Sequence, residues 1–578
     1  MYRDTHNLFH LSFHQDSEKY PLKYYCNPVS QTCLLYRVQM YPASRNSGNM
    51  LAIVQVLLLF MSTSTADRTT DDFGRGIATT AAAEVLEETT LVDVRGTLPS
   101  WLSGDFLKQS ASQYESGQYH LTHSFDGYAK LLRWRFHKNN TVTFRSKFLR
   151  SNFFNVSKNT QRVCPTRLLG STKPLQSELP ALTNNCSDNF NVNVFQYNDE
   201  IVALADFEGG MTIDLDDLTS QKHKWTDTWA TGMDKISAAH PGKTPDGTVV
   251  NFVMRINPLA IAGIGDHTLI VYKLDGKTDQ TRTVLQKIKI KRMSYVHSFT
   301  VTQNYVIIAA APLTWELAKV MVAQPILSAL KWVKDDPTII YVMRLDGTGG
   351  VTEYTVASFF AFHHANGYET DDRIVFDVIA NNMDSGKVPV AGLTVANLLN
   401  ASTRNDLLAN SELRRYTLTA PMSDGGHNRY VGVVNVTRFS LTDANGANSE
   451  VVELPTVNPN VKGLKHCFVY MWAPHLADNT SFGHLGLIKK NLCIADHVPV
   501  QTWQVDNHFP SEPIFVPKPN SVDEDDGVVL TVVWDGNEAK NYLAVIDGQT
   551  METLAMLYCT GDWKHVMSFG IHGRFFNR

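Results

Sequence analysis

From about residue 97 to the C-terminus one pattern repeats without a linker: a short run rich in β-branched and aromatic residues, then a turn pair. Residues 249–256 (VVNFVMRI), 268–274, 305–311, 338–345, 373–379, 430–439, 528–534 and 542–546 are such runs. Asp275-Gly276, Asp346-Gly347, Asn445-Gly446, Asp535-Gly536 and Asp547-Gly548 are among the turn pairs that separate them. Many short strands at this spacing predict an all-β sandwich, barrel or propeller. Roughly 480 residues of continuous strand text exceed what one sandwich or barrel uses, whereas a propeller absorbs that length by radial repetition. No repeated signature is visible, so the blades of such a propeller have diverged.

The rest of the chain differs in character. Residues 1–49 are polar and aperiodic and read as a disordered extension. Met50 opens an apolar run (LAIVQVLLLF), and Ser64-Thr65-Ala66 resembles a cleavage site ahead of Asp67. Residues 50–80 therefore read as a leader or anchor plus linker, although no positive charge follows Met50, and 81–578 as the propeller domain. Six N-x-Ser/Thr sequons start at Asn139, Asn155, Asn185, Asn400, Asn435 and Asn479; they permit glycosylation without establishing it. With Lys+Arg 52 against Asp+Glu 57, the chain has no overall electrostatic footprint for nucleic acid. No apolar run reaches the roughly 18 residues of a spanning helix. Seven cysteines, none in a CxxC pair, exclude a zinc ribbon and are too few for a disulfide scaffold. Residues 313–333 (LTWELAKVMVAQPILSALKWV) break the strand pattern and predict two short amphipathic helices interrupted at Pro325. Such a segment either packs on a sheet edge or dips into a membrane, since its Trp and Lys suit the headgroup level.

Four of the 20 histidines stand at the ends of β-rich or aromatic text: His240, His297, His363 and His572. Singly, each reads as a satisfied core histidine. Strand ends that converge on one axis, however, are where a propeller could assemble a metal site, and neutral imidazole is the commonest protein metal ligand.

An ordered set of segments resembles the carotenoid cleavage oxygenase family. It runs through Leu98-Pro-Ser-Trp-Leu-Ser-Gly104, His123-Ser-Phe-Asp-Gly127, Ala239-His-Pro241 and Tyr295-Val-His-Ser-Phe299. It continues through Phe362-His-His-Ala-Asn-Gly-Tyr-Glu369, Pro510-Ser-Glu-Pro-Ile-Phe-Val516, Glu524-Asp-Asp-Gly-Val-Val-Leu530 and Ile571-His-Gly573. The later segments are most similar to the animal branch, which holds β-carotene oxygenases and a retinoid isomerohydrolase.

The resemblance implies a seven-bladed β-propeller, capped by loops and short helices, with one iron(II) per chain on its axis. Its ligands would be His240, His297, His363 and His572, with His364 turned to the other strand face. Glutamates that hold the ligand rings match Glu453 and Glu512. The third falls at Asp206, with Glu208 as the alternative, and the shorter Asp is expected to hold its ring less closely or through water. Lys108-Gln-Ser-Ala-Ser112 replaces the family's Arg-Asn-Gly-Pro-Gly, which reads as a change in a local turn. A cysteine-rich stretch of animal relatives survives only as Val163-Cys-Pro165, giving weak support for a membrane-associated or acylated Cys164. Residues 313–333 match an apolar membrane-docking segment, with Leu327, Leu330 and Trp332 expected against lipid. The implied activity is an iron-dependent dioxygenase, β-carotene 15,15′-dioxygenase-like, that cleaves a carotenoid or apocarotenoid with dioxygen to carbonyl products such as retinal. The alternatives are an isomerohydrolase acting on retinyl esters, and a binding protein that has lost turnover. The expected setting is cytoplasmic and peripherally membrane-associated, or the secretory route if translation starts at Met50.

Overall fold

The computed structural model describes 81–578 apart from 92, 177–185, 231, 275–279, 323–324, 384–387, 389, 405–409, 422–431, 433–434, 447, 450, 475, 477–483 and 560–569. Before residue 81 it describes three strands and the positions of Phe73 and Gly76. Met1–Thr70 is one unit and Asp71–Arg578 another. In the first, Lys23–Asn27, Thr32–Pro42 and Met50–Leu57 form an antiparallel sheet. Strands thus stand where a disordered extension is expected, and the start of the apolar run is the third of them. The proposed cleavage site at residues 64–66 lies outside the described residues.

Among the described residues the second unit holds nine sheets, and seven of them form a ring of blades. Their innermost strands, in chain order around the axis, define the blades. Blade 1 has the C-terminal strand Gly570–Asn577 innermost, paired with Gly104–Gln113, then Tyr128–Phe136, Val142–Phe148 and Val85–Thr90. Blades 2 to 7 start from Asn193–Tyr197, Asp234–Ser237 with Gly242–Lys243, Thr300–Val301, His364–Glu369, Glu453–Thr456, and His508–Pro510 with Ile514–Pro517. The ring closes twice. Gly570–Asn577 pairs with the early strand Gly104–Gln113 in blade 1, and Asp93–Gly96 adds to Thr553–Tyr558 at the outer edge of blade 7.

The middle strands read as continuous apolar runs because both their faces are buried between blades. In Tyr305–Ala310 of blade 4, Val306 and Ile308 pack with Phe252 and Val271 of blade 3, while Ile307 packs with Phe376 and Val378 of blade 5. Successive side chains point to opposite faces of a strand, so one strand supplies two cores.

The antiparallel registers put three of the long connections on one rim. Tyr305–Ala310 runs against Thr300–Val301, and Arg373–Asn381 against His364–Glu369. Residues 149–192, 311–337 and 382–410 therefore leave from the end where the innermost strands begin, and they form the cap. In the cap, 313–333 is a strand, Leu313–Trp315, a short helix, Leu317–Val322, a turn of 3-10 helix, Ile326–Ala329, and a strand, Leu330–Trp332, that pairs back on the first. That fold turns Leu327 and Leu330 inward. Each is 8% exposed against Ala311, Leu313, Phe360 and Met383, and Trp332 is half-buried on the same cluster. Leu327 and Leu330 are core residues of the cap and not a lipid-facing surface, which corrects the expectation, while Trp332 keeps part of its surface exposed. Cys164 is likewise bonded to Cys186, so it has no thiol to acylate.

Ile308 has no exposed surface, whereas Val436 on the outer strand of blade 5 is 46% exposed. Ile308→Ala should destabilise the protein by roughly 2–5 kcal/mol in urea unfolding, and Val436→Ala by less than about 0.5 kcal/mol.

Candidate metal centre

One ring nitrogen from each of His240, His297, His363 and His572 lies within 4.8 Å of the other three. His240 lies between the two inner strand segments of blade 3 and bridges to Ser298. His297 immediately precedes the inner strand of blade 4, His363 that of blade 5, and His572 lies within the C-terminal strand of blade 1. The other three blades each supply a carboxylate. His297 Nδ1 is 2.7 Å from Asp206 Oδ2, His363 Nδ1 is 2.6 Å from Glu453 Oε2, and His572 Nδ1 is 2.7 Å from Glu512 Oε1. Asp206 belongs to blade 2, in the connection after Glu200–Leu204, Glu453 to blade 6 and Glu512 to blade 7. His240 differs: its Nδ1 faces the side-chain amide of Asn193 at 3.3 Å.

These contacts determine the state of the rings. A ring nitrogen beside a carboxylate carries the proton and donates it. The Nε2 atoms of His363 and His572 are then both bare acceptors, and they lie 3.3 Å apart. Two lone pairs at that distance repel unless one ring takes up a second proton as an imidazolium, which burial of His572 opposes. A cation between them removes the conflict. A metal–imidazole bond of about 2.1 Å puts ligands at right angles about 3 Å apart, close to this spacing and to the 3.1 Å between His240 Nε2 and His297 Nε2. Burial and the neighbouring histidines hold His240 well below its ordinary range, and burial takes His572 to about 4 even though Glu512 opposes the shift. Both are neutral near pH 7, as ligation requires.

The carboxylates are themselves held. Tyr295 donates its hydroxyl to Asp206 Oδ2 at 2.8 Å, and the Ala239 N–H donates to Oδ1 at 3.2 Å. The shorter Asp206 therefore reaches its histidine directly, contrary to the looser contact expected, because its connection lies close to the ring. Glu208 is engaged elsewhere, 2.6 Å from Arg282. Leu454 holds a left-handed backbone, φ 51°, and its N–H donates to Glu453 Oε2 at 2.9 Å. Such non-glycine positions cost about 1–3 kcal/mol and collect at functional sites. Glu512 takes the Gly573 N–H at 2.9 Å and approaches the Lys108 ammonium at 3.5 Å. Burial works against charge on Glu512, but His572 and Lys108 prevail and hold its carboxyl below the ordinary range.

Lys108 and Tyr295 are the residues that sequence reading missed. The stretch 108–112 is no turn: it lies inside strand Gly104–Gln113 of blade 1, and Lys108 is buried there with its ammonium also on the Ile571 carbonyl at 3.1 Å. Gly573 makes room for it, since a Cβ at that position would lie 2.9 Å from Lys108 Cδ. Burial lowers the Lys108 ammonium to about 8, with Glu512 opposing. A lysine among apolar strand residues was the available signal. His364 turns away from the cluster. Its Nδ1 is 2.7 Å from the Thr300 hydroxyl and its ring stacks on Phe376. His123 belongs to the cap, with Nε2 on the Val390 carbonyl at 2.9 Å.

The sequence model of the retinal pigment epithelial membrane protein family matches residues 80–577. This chain belongs to that family of carotenoid cleavage oxygenases. Among curated proteins it is similar to the mitochondrial carotenoid-cleaving dioxygenase of Macaca fascicularis, 26% identical, covering 83% of this chain and 91% of the relative. It is also similar to the β,β-carotene 15,15′-dioxygenase of Gallus gallus, 25% identical over 84% and 94% of the two chains. Among solved structures, a mutant Synechocystis apocarotenoid oxygenase superposes with a TM-score of 0.69 at 22% identity, covering 88% of this chain and 98% of that one. The family's propeller is the fold found here.

Elemental analysis of the purified protein should find about one metal per chain. His363→Ala should lose it and His364→Ala should keep it. Glu453→Gln and Glu512→Gln should weaken metal binding by roughly 10–100-fold in a chelator titration, with circular dichroism unchanged.

Proposed function

We propose that this chain is a non-haem iron(II) dioxygenase that splits one conjugated C=C bond of a carotenoid or apocarotenoid into two carbonyl products, such as retinal. The observation that carries this reading is the pair of ring nitrogens of His363 and His572 that face each other at 3.3 Å, inside a set of four histidines and no carboxylate ligand. Imidazole suits iron, and iron bound by these four rings would supply the activation of dioxygen. The protein's own part is to fix the rings through Asp206, Glu453 and Glu512 and to keep the site dry. On the cap side, Tyr295, Phe360 and Phe362 pack with Leu313, Met383 and Leu169, and the Phe362 ring lies 5.5 Å from that of His297. A nearly pure hydrocarbon would meet apolar surface there, and pocket shape would select the bond. The names of the curated relatives, carotenoid-cleaving and β-carotene dioxygenases, agree with that substrate class.

The decisive experiment gives the iron-loaded protein β-carotene, an apocarotenal and a retinyl ester, each with and without oxygen, and separates the products by chromatography. Aldehydes are expected from the polyenes only with oxygen. Oxygen-independent release of retinol from the ester would replace this reading with the isomerohydrolase one, and no product from any substrate would leave a binding protein.

Peripheral contact with a membrane is part of the same proposal, since the substrate partitions into bilayers. The connection 256–266 of blade 3 leaves on the cap rim, and it exposes Leu259 by 59% and Ile264 by 60% with no charged residue between Arg255 and Asp266. Leu259→Ser with Ile264→Ser should move the protein from the membrane pellet to the supernatant. It should also raise KM for carotenoid in vesicles, with kcat on a short soluble apocarotenoid unchanged. An unchanged pellet fraction would remove this loop from the contact.

A further inference from the structure

Two pairs of cysteines are joined in parts of the fold that do not depend on each other. Cys164–Cys186 ties two points of the cap segment 149–192 across 22 residues, and Cys467–Cys493 joins the ends of strands Phe468–Ala473 and Gly486–Asn491 in blade 6. The second is built into its surroundings: Glu524 accepts the Cys467 N–H at 2.8 Å, and the Leu492 N–H donates to the Cys467 carbonyl at 2.7 Å. Among the described residues Cys559 alone is free, and burial pushes its thiol up to about 12, which leaves it inert. In a reducing cytosol such pairs stay as thiols; disulfides persist in the secretory route and outside the cell.

Sequons are acceptors in that same compartment. Four of the six are described, and the structure separates them. Asn139 is exposed in the turn between Tyr128–Phe136 and Val142–Phe148, and its carbonyl oxygen takes the Thr141 N–H at 3.1 Å and the Thr141 hydroxyl at 2.7 Å. Asn400 is exposed at the end of helix Val395–Leu399. Asn435 opens the edge strand Asn435–Arg438, which is exposed along its whole length. Asn155, by contrast, is half-buried in helix Asn152–Thr160, with its amide nitrogen on the Arg150 carbonyl at 3.1 Å.

We propose that this chain matures in an oxidising secretory compartment, where it carries N-linked glycans on Asn139, Asn400 and Asn435 together with its two disulfides. In the transfer, Nδ2 of each Asn bonds to C1 of the reducing-end sugar of a polyprenyl-pyrophosphate-linked oligosaccharide. The C1–O bond breaks, the polyprenyl pyrophosphate leaves, and one amide proton is released. Each disulfide forms by exchange with an oxidised dithiol carrier of the compartment, which takes up two electrons and two protons. The glycan on Asn435 also has a physical use. It covers the outer edge of blade 5, which is unpaired among the described residues and exposes Val436, and open edges invite pairing with other chains. This replaces the expected cytoplasmic setting with the secretory alternative, and it holds whatever reaction the histidines support.

The test expresses the full chain, with no added signal, in cultured animal cells. The protein is treated with peptide N-glycosidase F in ¹⁸O-water, then mapped by mass spectrometry without reductant. Gel mobility should rise on treatment, and labelled Asp should appear at positions 139, 400 and 435. The map should contain the cross-linked peptides Cys164–Cys186 and Cys467–Cys493. Asn139→Gln, Asn400→Gln and Asn435→Gln together should abolish the mobility shift; the map of the wild-type chain decides the sites even if that variant folds poorly. A chain untouched by the glycosidase, or alkylated at these four cysteines without reductant, would overturn the proposal. Label confined to Asn155, Asn185 or Asn479 would overturn the assignment of sites.

Discussion

The structure turns on the repulsion between nitrogen lone pairs at its axis. His363 and His572 aim unprotonated Nε2 atoms at each other across 3.3 Å because Glu453 and Glu512 hold the protons on the far side of each ring. An arrangement of this kind favours a cation between the rings, so binding of a metal there would be coupled to the ring geometry. The charges agree with it. A divalent ion would offset part of the charge of Asp206, Glu453 and Glu512, beside the Lys108 ammonium on Glu512 and the buried Lys462 that also acts on Glu512.

Each of the seven blades contributes one side chain to this set, four imidazoles and three carboxylates. No blade, and no pair of neighbours, contains the site. Its precision therefore depends on closing the ring, which the chain does with both ends: the C-terminal strand that carries His572 pairs with Gly104–Gln113, which carries Lys108. Closure of the ring and the placing of the last of the four histidines are the same event. Between blades the cores are continuous and apolar, so the ring cannot flex at one seam without opening a cavity. The rigidity that holds the rings in place thus comes from packing far from them.

The cap has the opposite chemistry. Leu313, Leu327, Leu330, Phe360 and Met383 form an apolar roof beside the polar axis. The helical-looking sequence of 313–333 suggested a surface that faces lipid, but Pro325 and the pairing of Leu313 with Trp332 fold the segment back on itself. Amphipathic text states that one face is buried; it does not state against what. The exposed apolar residues of the same rim, Leu259 and Ile264, lie in a connection too short to show any period.

The sequence by itself determined that the chain is a long run of short strands, because strand length, turn pairs and apolar runs are local properties that each segment carries alone. It also marked the four histidines and Glu453 and Glu512, since the segments around them keep a family's wording. Only the tertiary structure decided what surrounds them. Asp206 reaches its ring directly because blade 2 brings its connection close, and Lys108 meets Glu512 across 404 residues of chain. Cys164 finds Cys186 instead of a lipid. These are contacts between segments far apart in sequence, set by the closing of the ring, and no local pattern encodes the distance between two blades.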